Sequence, residues 1–267
     1  TVHEPELIEE VLLGQHQSFR KDQLTRELTS VIGRGLLVSE GDLWRRQRKL
    51  IAPNLQPRHI TTYGEMMVDE TLSHVEQHWQ DGETRDIHRD MLEVTLRIVV
   101  QTLFDLDVEH QIEAVSDAVE RAMHYFDQRT HSFWRLLPEW VPTSERAGYE
   151  EAVDELNQII DDLIETRREG EAGDDLLWRL LQASDDAGNQ MTDQQLRDEV
   201  ITLFLAGHET TALSLTYALH LLAKHPERAA RVRDEVDRVL EGRRPGASDV
   251  EDLSYTEAVI DEAMRLY

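Results

Sequence analysis

Six consecutive residues, Ala206-Gly207-His208-Glu209-Thr210-Thr211, put a small-residue gap, an acid and two hydroxyls within two helical turns. Local preference and context conflict here. A glycine inside a helix costs about 1 kcal/mol relative to alanine, and threonine is a poor helix former. Glu209 is flanked by Leu203, Phe204, Leu205, Ala212 and Leu213, where an unpaired carboxylate would be expensive. Conflicts of this kind gather at functional sites. Two readings follow. In the chemical one, the missing side chain at Gly207 lets a flat or bulky ligand approach the backbone, and Glu209 beside Thr210 forms a proton-delivery pair. In the architectural one, Gly207 marks a helix–helix crossing and Glu209 pairs with a core arginine. A zinc-protease reading of His208-Glu209 needs a second histidine four residues after His208, and that residue is Ala212.

A second segment, Trp44-Arg45-Arg46-Gln47-Arg48, sets Trp44 and Arg48 four apart and so on one helical face. An indole N–H beside a guanidinium suits an anionic group such as a carboxylate, which arginine binds as a fork. The competing reading is an exposed basic helix face. A third segment, Glu262-Ala263-Met264-Arg265, spaces an acid and a base for an i,i+3 ion pair. Such pairs are common and, when exposed, add only a few tenths of a kcal/mol.

The elements that carry these residues are helical. The spacing predicts a short amphipathic helix over 4–13, a polar stretch to Gly35, and a helix capped by Ser39 that stops before Pro53. Helices are predicted over 58–80, 88–105, 110–129, 144–169 and 174–183, with helix-breaking Pro138 and Pro142 and a loop at SDDAGNQ. Thr192 caps a long helix from about 193 to 224, roughly 48 Å at a rise of 1.5 Å per residue. Its middle is apolar on almost every side, which predicts that it threads the core. Pro226 starts the next helix, to Leu240, and a last one begins at Ser254. The expectation is a mainly α fold with one long buried central helix surrounded by others.

Composition narrows the function classes. The 267 residues contain 40% hydrophobic and 31% charged side chains, which suits one large globular domain. A net charge of −26, from 54 acids against 28 Lys and Arg, disfavours nucleic-acid binding because no face can present a basic stripe. That surplus reads either as a solvation adaptation to salt-rich surroundings or as an ordinary acidic protein with no such history. With no cysteine, disulfides, Cys-zinc sites and a cysteine nucleophile are excluded within these residues. No signal peptide or transmembrane segment is visible, so a cytoplasmic location is expected. No Gly-rich phosphate loop follows a strand.

Taken in this order, the three segments resemble the cytochrome P-450 family of haem-thiolate monooxygenases. Trp-x-x-x-Arg comes first, Ala-Gly-x-Glu-Thr-Thr follows in a long helix, and Glu-x-x-Arg comes in a later one. The surrounding text GDLWRRQRKLIAPNL, LFLAGHETTA and YTEAVIDEAMRLY fits as well. The resemblance covers nearly the whole chain and implies the central part of that fold, a single incomplete domain. It implies that Trp44 and Arg48 hydrogen-bond a haem propionate and that Ala206 and Gly207 lie against the distal haem face. Glu209 and Thr210 would guide protons toward the reacting oxygen, and Glu262 with Arg265 would form a buried structural pair. The implied reaction inserts one oxygen atom of O2 into a lipophilic substrate, with electrons from a redox protein such as a ferredoxin, flavodoxin or reductase domain. The departure is the iron-binding cysteine, which the family carries after Glu-x-x-Arg and which these residues lack, as they lack the opening strands. The expectation is therefore a fragment, inactive alone, of a monooxygenase. The rival from another class is a cysteine-free helical ligand-binding domain without redox chemistry.

Overall fold

The structure is a computed structural model and describes residues 2–104, 109–131 and 144–267. The predicted breaks at Pro138 and Pro142 lie outside the described residues. Helices account for nearly all the regular structure among them: α1 (Pro5–Glu9), α2 (Gln23–Glu27), α3 (Thr29–Ile32), α4 (Gly41–Ile51), α5 (Pro57–His78) and α6 (Ile87–Phe104). These are followed by α7 (Glu109–His131), α8 (Ser144–Glu169), α9 (Leu176–Gln182), α10 (Asp193–Lys224), α11 (Pro226–Leu240) and α12 (Ser254–Leu266). The only β pairing among the described residues is an isolated bridge, Ser184 with Gln190.

Helix α10 starts where the sequence predicts and for the predicted reason. Thr192 Oγ1 accepts from the Gln195 amide at 3.2 Å, and Gln195 Oε1 accepts from the Thr192 amide at 3.2 Å, a reciprocal capping box. It packs most extensively against α6, and also meets α8, α11 and α12. The core between them is filled by large side chains with almost no exposure, among them Phe104, Leu156, Ile160, Leu177, Leu180, Ile201 and Phe204. Where α7 meets α8, the small residues Ala118, Ala122 and Ala152 are fully buried and let the two helices approach closely.

Three local expectations change. The polar stretch before Gly35 holds two short helices, α2 and α3, the first capped by Asp22 accepting from the Thr25 amide at 3.0 Å. Ser39 does not cap α4. That helix begins at Gly41 after Glu40, with no side-chain cap, and the Ser39 hydroxyl is buried without a partner among the described residues. Helix α10 threads the core in its first half only. Leu196, Asp198–Thr202 and Phe204 are buried, whereas Ala206, Glu209, Thr210, Thr211 and Leu213 are exposed and only Ala212 and Ala218 are buried beyond them. No helix among the described residues is long and apolar enough to cross a membrane.

Candidate active site

Gly207 settles its own ambiguity. A Cβ added there would lie 3.0 Å from Val99 Cγ2 on α6, so the missing side chain makes room for a helix crossing rather than for a ligand. The contact supports the crossing reading of Gly207. Its neighbour Ala206 does face outward, and Ala206, Glu209, Thr210 and Leu213 follow at spacings of three or four, forming one exposed stripe along α10. Glu209 is exposed instead of sitting in the apolar core, and it forms no ion pair among the described residues, so the core-arginine reading also falls. Of the apolar neighbours that suggested burial, Leu205, Ala212 and Leu213 share Glu209's side of the helix, and Leu213 is itself exposed.

Thr210 donates its hydroxyl to the Ala206 carbonyl at 2.5 Å, back-bonding into its own helix. His208 points the other way, into the protein. Its ring lies 5.9 Å from that of Phe204, its Nε2 is buried without a partner among the described residues, and burial lowers its pKa. Among the described residues no group of three His, Cys, Asp or Glu side chains could hold a metal ion.

On α4 the Arg48 guanidinium carbon lies 5.4 Å from the centroid of the Trp44 ring. Arg48 is exposed and has no carboxylate partner among the described residues, although the chain carries 54 acids. Its neighbours differ. Arg45 pairs with Asp42 at 2.7 Å, and Arg46 donates to Asp185 at 2.8 Å, to Gln195 Oε1 at 3.2 Å and to the Asn189 and Gln190 carbonyls. The basic face is therefore two arginines engaged with the protein and one, beside an indole, left available.

Glu262 and Arg265 form the expected bidentate pair on α12, at 2.6 and 2.7 Å. Within these 267 residues 53% and 67% of the two side-chain surfaces are accessible, and the Arg265 guanidinium holds the Glu262 carboxyl below its usual range.

Sequence reasoning missed a second acidic pair. Asp198 and Glu199 on the buried half of α10 accept the amides of Arg34 and Leu36 at 2.7 and 2.9 Å. Burial raises the pKa of both, that of Glu199 to about 7. A signal was present: two adjacent acids stand between Leu196 and Val200-Ile201, in the apolar part of the same helix.

An α-rich fold organised on one long helix, with an indole–arginine pair on an early helix and an Ala-Gly-x-Glu-Thr-Thr turn at its centre, defines a class. The chain belongs to the cytochrome P450 family, whose model matches residues 1–267. It is 35% identical over 273 residues to cyclooctat-9-en-7-ol 5-monooxygenase of Streptomyces melanosporofaciens, covering 98% of this chain and 57% of that protein. It is 32% identical over 271 residues to pentalenene oxygenase of Streptomyces avermitilis, covering 98% and 58%. Its fold superposes on the solved heme domain of cytochrome P450DA with a TM-score of 0.86 and 26% identity, covering 99% of this chain and 59% of that one. The chain thus spans less than two thirds of the length of each of these relatives.

Proposed function

We propose that the protein is a haem-dependent monooxygenase that inserts one oxygen atom of O2 into a lipophilic organic substrate. The observation that carries this reading is the stripe Ala206–Glu209–Thr210 along one side of α10, which lines up a small, an acidic and a hydroxyl side chain. The names of the two Streptomyces relatives, an oxygenase and a monooxygenase, support the reaction class.

The residues present fit the flanks of a haem. The donor set of Trp44 and Arg48, an indole N–H with an unpaired guanidinium, matches the carboxylate of a propionate. Ala206 offers a methyl-sized surface for a flat ring to lie against, and Gly207 serves by letting α6 come close behind it. When bound, the haem supplies the oxygen activation, helped by thiolate ligation. None of the 267 residues is a cysteine, so the thiolate of this reading is not among them.

The chain's own residues then bind, orient and move protons. Trp44 and Arg48 fix one edge of the ring. The Thr210 hydroxyl, now turned to the Ala206 carbonyl, can rotate outward to donate a hydrogen bond, and exposed Glu209 lies beside it as the group that relays a proton from solvent. Electrons come from a separate or fused redox protein. Glu262 and Arg265 act structurally, at the surface of α12.

A reduced carbon-monoxide difference spectrum of the protein expressed from the complete reading frame tests this. A thiolate-type Soret band is the expected result. A folded protein that takes up no haem would leave the ligand-binding domain without redox chemistry as the better account.

A further inference from the structure

The segment from Gly33 to Glu40, between α3 and α4, has almost no regular structure, yet its backbone polar groups are collected one after another by side chains. The amides of Arg34 and Leu36 donate to the buried carboxylates of Asp198 and Glu199. The Arg34 carbonyl accepts from Gln47 Nε2 at 2.8 Å, and the carbonyls of Leu36, Leu37 and Ser39 accept from the single ammonium of Lys21. The two glycines are needed for this fit. Gly33 has φ of +61°, and a Cβ on it would collide with the Asp198 carboxylate; a Cβ on Gly35 would collide with the Thr202 hydroxyl and the Asp198 carbonyl.

Helix geometry connects this clamp to the candidate site. Gln195, Asp198, Glu199 and Thr202 recur at spacings of three and four, and Ala206 and Thr210 continue the same stripe. One face of α10 therefore grips the segment leading into α4 and, two to three turns later, carries the exposed site. Arg46 ties α4 to the same stripe through Gln195, from the side of α4 roughly opposite Trp44.

We infer that Asp198 and Glu199 are positioning residues that set α4, and with it the Trp44–Arg48 pair, relative to the Ala206–Thr210 face. The inference rests on the haem reading for its functional consequence, but the clamp itself does not. Holding two carboxylates in the core is costly unless each accepts hydrogen bonds, and the two they accept are both from this segment. Removing either acid frees an amide and loosens the entry to α4.

The test uses the protein from the complete reading frame with Asp198→Ala, Glu199→Ala, Asp198→Asn and Glu199→Gln. Hydrogen exchange followed by mass spectrometry reads peptides over 33–44, with peptides of α5 as the control. The alanine variants are expected to speed exchange in 33–44 by at least about tenfold, the loss of about one hydrogen bond. The amide variants, whose carbonyl oxygens can still accept, are expected to restore it to within about threefold. Haem transfer to apomyoglobin supplies a second readout. Glu199→Ala should accelerate haem loss in the parent protein and add nothing in a background with both Trp44→Phe and Arg48→Ala, because the clamp acts through that pair. Unchanged exchange in 33–44 would overturn the clamp, and equal acceleration of haem loss in both backgrounds would overturn its action through α4. A protein that takes up no haem, yet shows faster exchange rescued by Gln and Asn, would keep the clamp and reject the cofactor reading.

Discussion

Substituting Gly207 separates its two possible roles and can be worked through from one distance. Gly→Ala in a helix interior gains about 1 kcal/mol in backbone preference. Against this, the new Cβ would stand 3.0 Å from Val99 Cγ2, well inside the roughly 3.5–4.0 Å at which two carbons attract best. Extra methyl groups forced into packed sites cost about 1–3 kcal/mol. Gly207→Ala is therefore expected to lower stability by about 1 kcal/mol, despite alanine's better helix propensity. Val99→Ala alone loses two partly buried methyl groups and costs about 1–2 kcal/mol. Together the two changes should cost less than their sum by about 1 kcal/mol or more, since the new methyl group enters the space that Val99 leaves. Urea denaturation of the protein from the complete reading frame, with m-values compared, measures all four corners of this cycle. Because the glycine faces α6, Gly207→Ala should leave ligand-induced spectral shifts at the Ala206–Thr210 face unchanged. Additivity within about 0.5 kcal/mol, or a changed ligand spectrum at unchanged stability, would refute the crossing and restore the ligand-approach reading.

Other outcomes follow from the same structure. Burial holds the Glu199 carboxyl at about 7 against an ordinary 4.5, so the folded state keeps a proton that the unfolded chain has lost. This contribution is fully present below pH 4.5 and is lost as pH rises through about 7, with an upper bound of about 3 kcal/mol at about 1.4 kcal/mol per pH unit. The difference in stability between the parent and Glu199→Gln, followed from pH 4.5 to 8, should show that slope. The difference matters because His74, whose pKa burial lowers, pushes the other way by destabilising the fold as pH falls below 6.5. Asp90 is buried between α5 and α6 and takes two nitrogens of the Arg85 guanidinium at 2.8 Å, so Arg85→Met leaves a buried carboxylate without its cation and should lower the unfolding midpoint, read by thermal or urea unfolding. Thr210→Ala should lower product formed per electron consumed and raise hydrogen peroxide release, and unchanged coupling would remove the hydroxyl from the proton path.

Much of the fold was legible because periodicity and punctuation agree. Helices α8, α10 and α11 have the predicted ends, and the starts of α10 and α11 are marked by the Thr192–Gln195 box and by Pro226. The short helices α2 and α3 were not legible, since four or five residues carry too little period against a polar background. The site was legible as a set of residue types but not as a set of environments. Glu209, taken for a buried acid, is exposed, and Asp198 and Glu199, passed over, are the buried ones. A helix of 32 residues passes through more than one environment, and local composition does not say where it leaves the core. The Glu262–Arg265 pairing was legible, because i,i+3 spacing fixes a partner, though not a depth.

Four hydroxyls along α10, those of Thr202, Thr210, Ser214 and Thr216, donate to the carbonyl four residues earlier, at 2.7, 2.5, 2.9 and 2.7 Å. Each such carbonyl is also the natural acceptor of a helical amide, so the hydroxyl is a second donor on an oxygen already satisfied. At Thr210, turning that hydroxyl outward is a single side-chain rotation that breaks no turn of the helix and forfeits about one ordinary hydrogen bond, roughly 1 kcal/mol. The helix thus keeps a donor in reserve at its exposed centre, ready for a guest and harmless without one, and it can lend that donor and take it back with the backbone standing still.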